Sequence, residues 1–234
     1  MLTVEGLTAG YGRIPVVSDI SMEVEAGRIT AVLGANGAGK TTLVKALSGL
    51  IRPMAGRVLL AGRDITGAAP SAATRAGVRL LLDGHRVFPD LSVQDNLKIA
   101  AIKTGSRREF ELLCDEYFEV FPILKQKRRD YARTLSGGQQ QILALIQAFL
   151  CKPRVLLCDE PSIGIAQALI PTILRELRNF ASRGGAVVLV EQQIQMSLKV
   201  SDTALVMDRG SIRLSGTASE FMSDERIRKI YMGN

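Results

Sequence analysis

No stretch of this chain approaches the roughly 18 consecutive apolar residues that a membrane-spanning helix needs. The amino terminus, MLTVEGLTAGYG, lacks the basic segment followed by an apolar one that marks a secretory signal. The expectation is a soluble chain that would serve a membrane, if at all, from outside the bilayer. Cysteine is scarce. Cys114, Cys151 and Cys158 are odd in number and form no CxxC pair, which argues against a disulfide framework or a zinc site and for reduced thiols. Histidine occurs once, at His85. There is no long Gly/Ser/Pro tract, low-complexity block or fixed-period repeat, so linkers and solenoids are excluded. The 234 residues suit one large domain, or a core with an inserted subdomain, and 47% hydrophobic residues can fill it.

What is present is basic: the formal net charge is +7, which suits an anionic partner such as a nucleotide, a nucleic acid or an inner membrane face. The densest cluster, KQKRRDYAR (125–133), reads as a solvated helix end and loop ahead of a nucleic-acid patch. Five apolar runs read as buried parallel strands: ITAVLG (29–34), VRLLLD (78–83), RVLLCDE (154–160), AVVLVE (186–191) and TALVMD (203–208). Helical stretches such as TTLVKALSGL and ALIPTILRELRNFA separate most of them, predicting an α/β fold with a mostly parallel sheet. Residues 1 to about 30 alternate and carry turn residues, predicting a small antiparallel β layer. Residues 90–150 hold no clear strand and read as successive helices inserted into a core of 1–89 and 151–234, all within one domain.

Three motifs carry chemistry. GANGAGKT (34–41) fits GxxxxGK[ST] between a predicted strand and a predicted helix. Its glycines let the backbone wrap phosphates, and free N–H groups at the helix start face the anion. Gly34, Ala35, Asn36, Gly37, Ala38, Gly39, Lys40, Thr41 and Thr42 are therefore the candidate nucleotide cradle. Lys40 reaches the β- and γ-phosphates and the Thr41 hydroxyl meets Mg²⁺. LLCDEPS (156–162) ends a strand in Asp159 and Glu160, one carboxylate for Mg²⁺ and one to orient the attacking water. LSGGQQQ (135–141) opens a long helix with a serine and free N–H groups, a second anion site or an ordinary serine cap.

In this order and spacing, the P-loop, LSGGQ and the strand ending in DE resemble the ATP-binding subunit of an ABC transporter over essentially the whole chain. The resemblance implies a P-loop NTPase core that binds ATP and Mg²⁺. It also implies a head-to-tail pair with a second such subunit, in which Ser136, Gly137, Gly138 and Gln139 complete the partner's ATP site. Tyr11 matches the position that stacks on adenine, with Val16 beside it. Asp159 would serve Mg²⁺ and Glu160 would act as the base. The family's usual histidine after the strand is replaced by Gln192 in VEQQ, so Glu160 and Gln192 form the candidate catalytic pair. Gln192 can donate a hydrogen bond to phosphate but carries no titrating proton. Helix capping by these polar residues is the alternative reading.

Gln192 and Ala166, with DGHRVF (83–88) and the terminal IYMGN, resemble the subgroup of branched-chain amino-acid importers, whose relatives handle urea or other small amides. The subgroup's pattern runs EPSxGLA, then VEQ; this chain reads EPSIGIA (160–166), then VEQ (190–192). Asp83 takes the place of a Gln or Glu that would meet Mg²⁺ or the lytic water, Leu82 replaces a proline, and Gln147 stands where arginine is usual. The implied protein is an ATPase of a membrane importer, cytoplasmic and peripheral on the inner membrane face. It would pair with membrane permease subunits and with a second ABC ATPase subunit, as a homodimer or as a heterodimer with a sister ATPase, the latter favoured in the cell, and no nucleic-acid partner is expected. Two other readings stand beside it: a catalytically weak ATP-binding partner subunit, and a non-transport ATPase. The short helical stretch between Asp83 and Ser136 and the single cassette argue against the last.

Overall fold

The computed structural model describes residues 1–82, 84, 87–101 and 106–223. The expected metal ligand Asp83, the lone His85 and the terminal IYMGN fall outside the described residues. Strands β1 (Leu2–Tyr11) and β2 (Ile14–Val24) form an antiparallel hairpin. In β2, buried Val17, Ile20, Met22 and Val24 are interspersed with exposed residues, the pattern of a sheet with one face on the core and one in water. The wholly buried β3 (Ile29–Leu33) leads through the glycine loop into α1 (Lys40–Leu47). The strands β4 (Ala55–Leu60) and β5 (Arg63–Asp64) then return to the first layer, giving the order β2-β1-β4-β5. The antiparallel layer is thus larger than residues 1–30 suggested. AGRVLL is short, and its partner β1 lies about fifty residues away, so no local pattern announces the pairing.

After α2 (Pro70–Ala76) comes β6 (Val78–Leu81), followed among the described residues by α3 (Val93–Ala100), α4 (Arg107–Val120), α5 (Pro122–Gln126) and α6 (Gly137–Leu150). The chain re-enters the sheet as β7 (Val155–Asp159), crosses by α7 (Ile170–Ser182) to β8 (Ala186–Val190), and by α8 (Ile194–Val200) to β9 (Thr203–Asp208). β10 (Ser211–Thr217) and α9 (Ala218–Ser223) follow. The second sheet runs β10-β9-β3-β8-β7-β6, parallel except for β10.

Its central strands read as unbroken apolar runs because both faces are covered. Leu156, Cys158, Val187 and Leu189 join a cluster with α3, α4, α6 and α7 on one side. Val155, Leu157, Val188 and Val190 join a cluster with α1 and the antiparallel layer on the other. Helix α7 buries Ile170, Ile173, Leu174, Leu177 and Ala181, a stripe at helical spacing that lies on the first cluster.

The helices are tied to the segment after β6 by one fully buried amide. Asn96 Nδ2 donates to the carbonyls of Phe88 (2.9 Å) and Ser92 (3.0 Å), and its Oδ1 accepts from Phe88 N–H at 2.8 Å. Gln147 of α6 completes the network, its Nε2 donating to Asn96 O at 3.0 Å and Oδ1 at 3.2 Å. A neutral amide therefore does structural work where the resemblance led one to expect arginine. Each buried group left unpaired costs about 1–3 kcal/mol. Asn96→Ala is accordingly expected to lower the urea midpoint clearly, and an unchanged midpoint would count against this network.

Candidate active site

Strands β3, β8 and β7 are neighbours, and their carboxyl ends are level: Val32 pairs with Val190, and Val190 with Asp159. Three segments distant in sequence therefore emerge side by side: the glycine loop, the Asp159–Glu160 turn and the Glu191–Gln193 segment. The crevice beyond the carboxyl ends of parallel strands is where such sheets bind ligands.

In the glycine loop, Gly39 caps α1 with φ +101°, and a Cβ there would stand 2.7 Å from Val17 Cγ1 and 3.3 Å from Val16 O. Only glycine fits so close an approach of β2. This places Val16 against the loop; Tyr11 lies exposed at the tip of the same hairpin, opposite Ile14. The Lys40 ammonium is buried and donates to Gly34 O (2.8 Å) and Ala35 O (3.1 Å), bonds that phosphate oxygens could replace. Burial lowers its pKa, while Glu160 and Asp159 pull the other way.

Asp159 is buried at the end of β7, and burial raises its carboxyl above the ordinary range, opposed chiefly by a hydrogen bond from the Thr41 side chain. Its Oδ1 is buried without any hydrogen-bond partner. An orphaned carboxylate oxygen beside a threonine hydroxyl is a hard-oxygen pair of the kind Mg²⁺ accepts, with phosphate and water completing the shell. Among the described residues no cluster of three His, Cys, Asp or Glu forms an all-protein metal cage.

Glu160 adopts φ +51°, a left-handed conformation that costs a non-glycine residue about 1–2 kcal/mol. Its N–H is held by Val190 O at 2.9 Å. Its carboxylate is met by Gln192, whose Nε2 lies 3.0 Å from both Oε1 and Oε2. The two residues read as a catalytic pair from sequence are thus in direct contact. The capping alternative finds no support, since Gln193 at the start of α8 makes no side-chain cap bond.

Ser136 caps α6 in a reciprocal box. Its Oγ accepts from Gln139 N–H at 3.3 Å, and Gln139 Oε1 accepts from Ser136 N–H at 3.0 Å. Gly138 packs on the loop after β7: a Cβ there would lie 2.7 Å from Gly164 O and 3.2 Å from Ile165 Cα. The Ser136–Gln139 segment therefore meets the loop that follows Glu160, a contact the sequence did not disclose. The sequence reading also gave no part to Glu191, whose carboxylate is buried between that loop and Gln192. A lone carboxylate at the end of an apolar strand was the available signal.

The profile of the family described as ABC transporter matches residues 17–163. The chain is 35% identical to the high-affinity branched-chain amino acid transport ATP-binding protein BraG of Pseudomonas aeruginosa, with 100% of each chain covered. It is 36% identical to the probable branched-chain amino acid transport ATP-binding protein LivF of Archaeoglobus fulgidus, covering 100% of this chain and 99% of that one. The lipopolysaccharide export system ATP-binding protein LptB of Haemophilus influenzae is 30% identical, with 100% and 97% covered. Among solved structures, an ATP-binding subunit of an ABC transporter superposes with a TM-score of 0.88 at 24% identity, covering 99% of this chain and 96% of the other.

Proposed function

This chain belongs to the ABC transporter family of ATP-hydrolysing subunits, and on that premise we propose that it energises import of branched-chain amino acids or a related small solute such as urea or an amide. The observation that supports the reading best is the Gln192 amide seated on Glu160, at the position where the family usually has a histidine and the resembled importer subgroup does not. Full-length similarity to BraG and LivF supports it.

In the proposed mechanism the loop Gly34–Thr42 and the Lys40 ammonium hold the phosphates, with Tyr11 and Val16 at the base. Thr41 and Asp159 would hold Mg²⁺, which supplies charge neutralisation at the phosphates. Glu160 accepts a proton from a water whose oxygen attacks the γ-phosphorus in line as the bond to the β–γ bridging oxygen breaks, giving ADP and phosphate. Gln192 exchanges its bonds to Glu160 for one to a γ-phosphate oxygen. Ser136, Gly137, Gly138 and Gln139 close on the nucleotide of a second cassette, a sister ATPase in the cell. The helices of 90–150 form an arm on a single cassette that docks with permease subunits at the cytoplasmic face of the membrane. No helix among the described residues is long and apolar enough to cross a membrane.

Hydrogen bonds to charged groups contribute about 1.5–3 kcal/mol. Gln192→Ala is therefore expected to lower kcat about 10- to 150-fold while ATP affinity changes little. Steady-state phosphate release and a nucleotide titration read the two quantities. The solute is tested in the host cell. Loss of the chain should abolish uptake of labelled leucine, isoleucine or valine. The LptB likeness favours a second reading: intact uptake with failed lipopolysaccharide export would establish that one instead.

A further inference from the structure

Glu191 is a buried carboxylate that no step above employs. It stands one residue beyond β8, and its two oxygens serve different segments. Oε1 accepts the Ser162 backbone N–H at 3.0 Å, and Oε2 accepts the N–H of Gln192 at 3.3 Å. One acceptor-only group thus joins the residue that reaches Glu160 to the loop that follows Glu160. That loop runs on to Gly164 and Ile165, which leave no room for a Cβ on Gly138. A continuous path of close contacts leads from Gln192 through Glu191, Ser162 and Gly164 to the Ser136–Gln139 segment.

Burying a carboxylate is costly unless it is well bonded. Burial and the nearby Glu160 both act to raise the Glu191 carboxyl, while Ser162 and Gln192 act to lower it. The arrangement is stiff for the same reason, because moving either loop alone would strip an acceptor from a desolvated group.

We infer that Glu191 is a positioning residue that couples Gln192 to the Ser162–Ala166 loop, so that contact with the γ-phosphate in one site sets the posture of the Ser136–Gln139 surface offered to the other. This rests on the roles proposed above for Gln192 and for Ser136–Gln139. A side chain that merely fixed a turn would affect stability and leave this communication intact.

Glu191→Gln separates the two. Glutamine has the same shape but one acceptor and one NH₂ group, so whichever way it turns, one N–H faces another donor. The full chain, Glu191→Gln, Gln192→Ala and the double variant are compared by kcat, KM for MgATP, thermal midpoint and backbone amide exchange. MgATP should slow exchange in the wild type at both 34–41 and 162–166. In Glu191→Gln the protection at 34–41 should persist and that at 162–166 should vanish. Its kcat should fall at least about tenfold with KM little changed. The double variant should lie within about twofold of the slower single variant, since both cut one path. Retained protection at 162–166 in Glu191→Gln, or losses in kcat that multiply, would overturn the inference. Wild-type protection confined to 34–41 would overturn it too. No wild-type protection at 34–41 would instead fell the ATP-site reading, and the inference with it. Should Glu191→Gln fail to fold, Glu191→Asp carries the same comparison, keeping both acceptors one methylene too short.

Discussion

Replacing Glu160 by glutamine is expected to lower MgATP turnover about 10²–10⁴-fold, the range a positioned general base contributes, with ATP affinity preserved. The substitution keeps the shape of the side chain and the backbone bond from Glu160 N–H to Val190 O. The left-handed turn that aims the residue is set by that backbone and should survive. What is lost is the carboxylate that can accept a proton from water. Asp159 cannot take over, because it is buried one residue earlier in the strand and turned to Thr41. Single-turnover phosphate release gives the rate, and titration with a fluorescent ATP analogue gives the affinity. The variant should bind ATP and hold it. Turnover within about tenfold of wild type would mean that another group serves as the base.

Lys40→Ala should act on the other quantity. Truncating one partner of a buried, hydrogen-bonded charge pair costs at least about 2 kcal/mol, so ATP affinity should fall at least about 30-fold. The ammonium is already desolvated and aimed into the loop at Gly34 O and Ala35 O. Little reorganisation is therefore needed when phosphate arrives, and little of the loss can be recovered by water. Thermal unfolding with and without ATP measures it. At about 100 times the wild-type Kd, ligand stabilisation of about 2.7 kcal/mol should shrink below about 1 kcal/mol. A variant that ATP stabilises as well as wild type would remove Lys40 from the phosphate site.

The parallel sheet and its motifs were legible because their signals are local. A strand covered on both faces is a continuous apolar run, and a phosphate loop is eight consecutive residues. The strand TALVMD was read to its exact bounds, and the helix GGQQQILALIQAFL likewise. The third and fourth strands of the antiparallel layer were not seen, since β4 gains its meaning from β1. The bonds that set the site's internal order were hidden for the same reason. Glu191 meets Ser162 across 29 residues, and Gln147 meets Asn96 across 51. In sequence, Asn96 is a polar residue on a helix and Glu191 a carboxylate after a strand. Only folding shows that one is wholly buried, and that the other has both its oxygens taken by backbone N–H groups.

The central claim is that this chain hydrolyses ATP in a site completed by the Ser136–Gln139 segment of a second cassette. In the structure that segment packs by Gly138 on Gly164 and Ile165, and Ser136 is exposed. The most direct test is phosphate release per chain at saturating MgATP, measured across chain concentrations for wild type and for Ser136→Ala, with the sister subunit added in a parallel series. Turnover per chain is predicted to rise with concentration of chain or sister and then level off as pairs form, and to be strongly reduced in Ser136→Ala. Turnover per chain that is independent of concentration, and equal in the two proteins, would contradict the shared site.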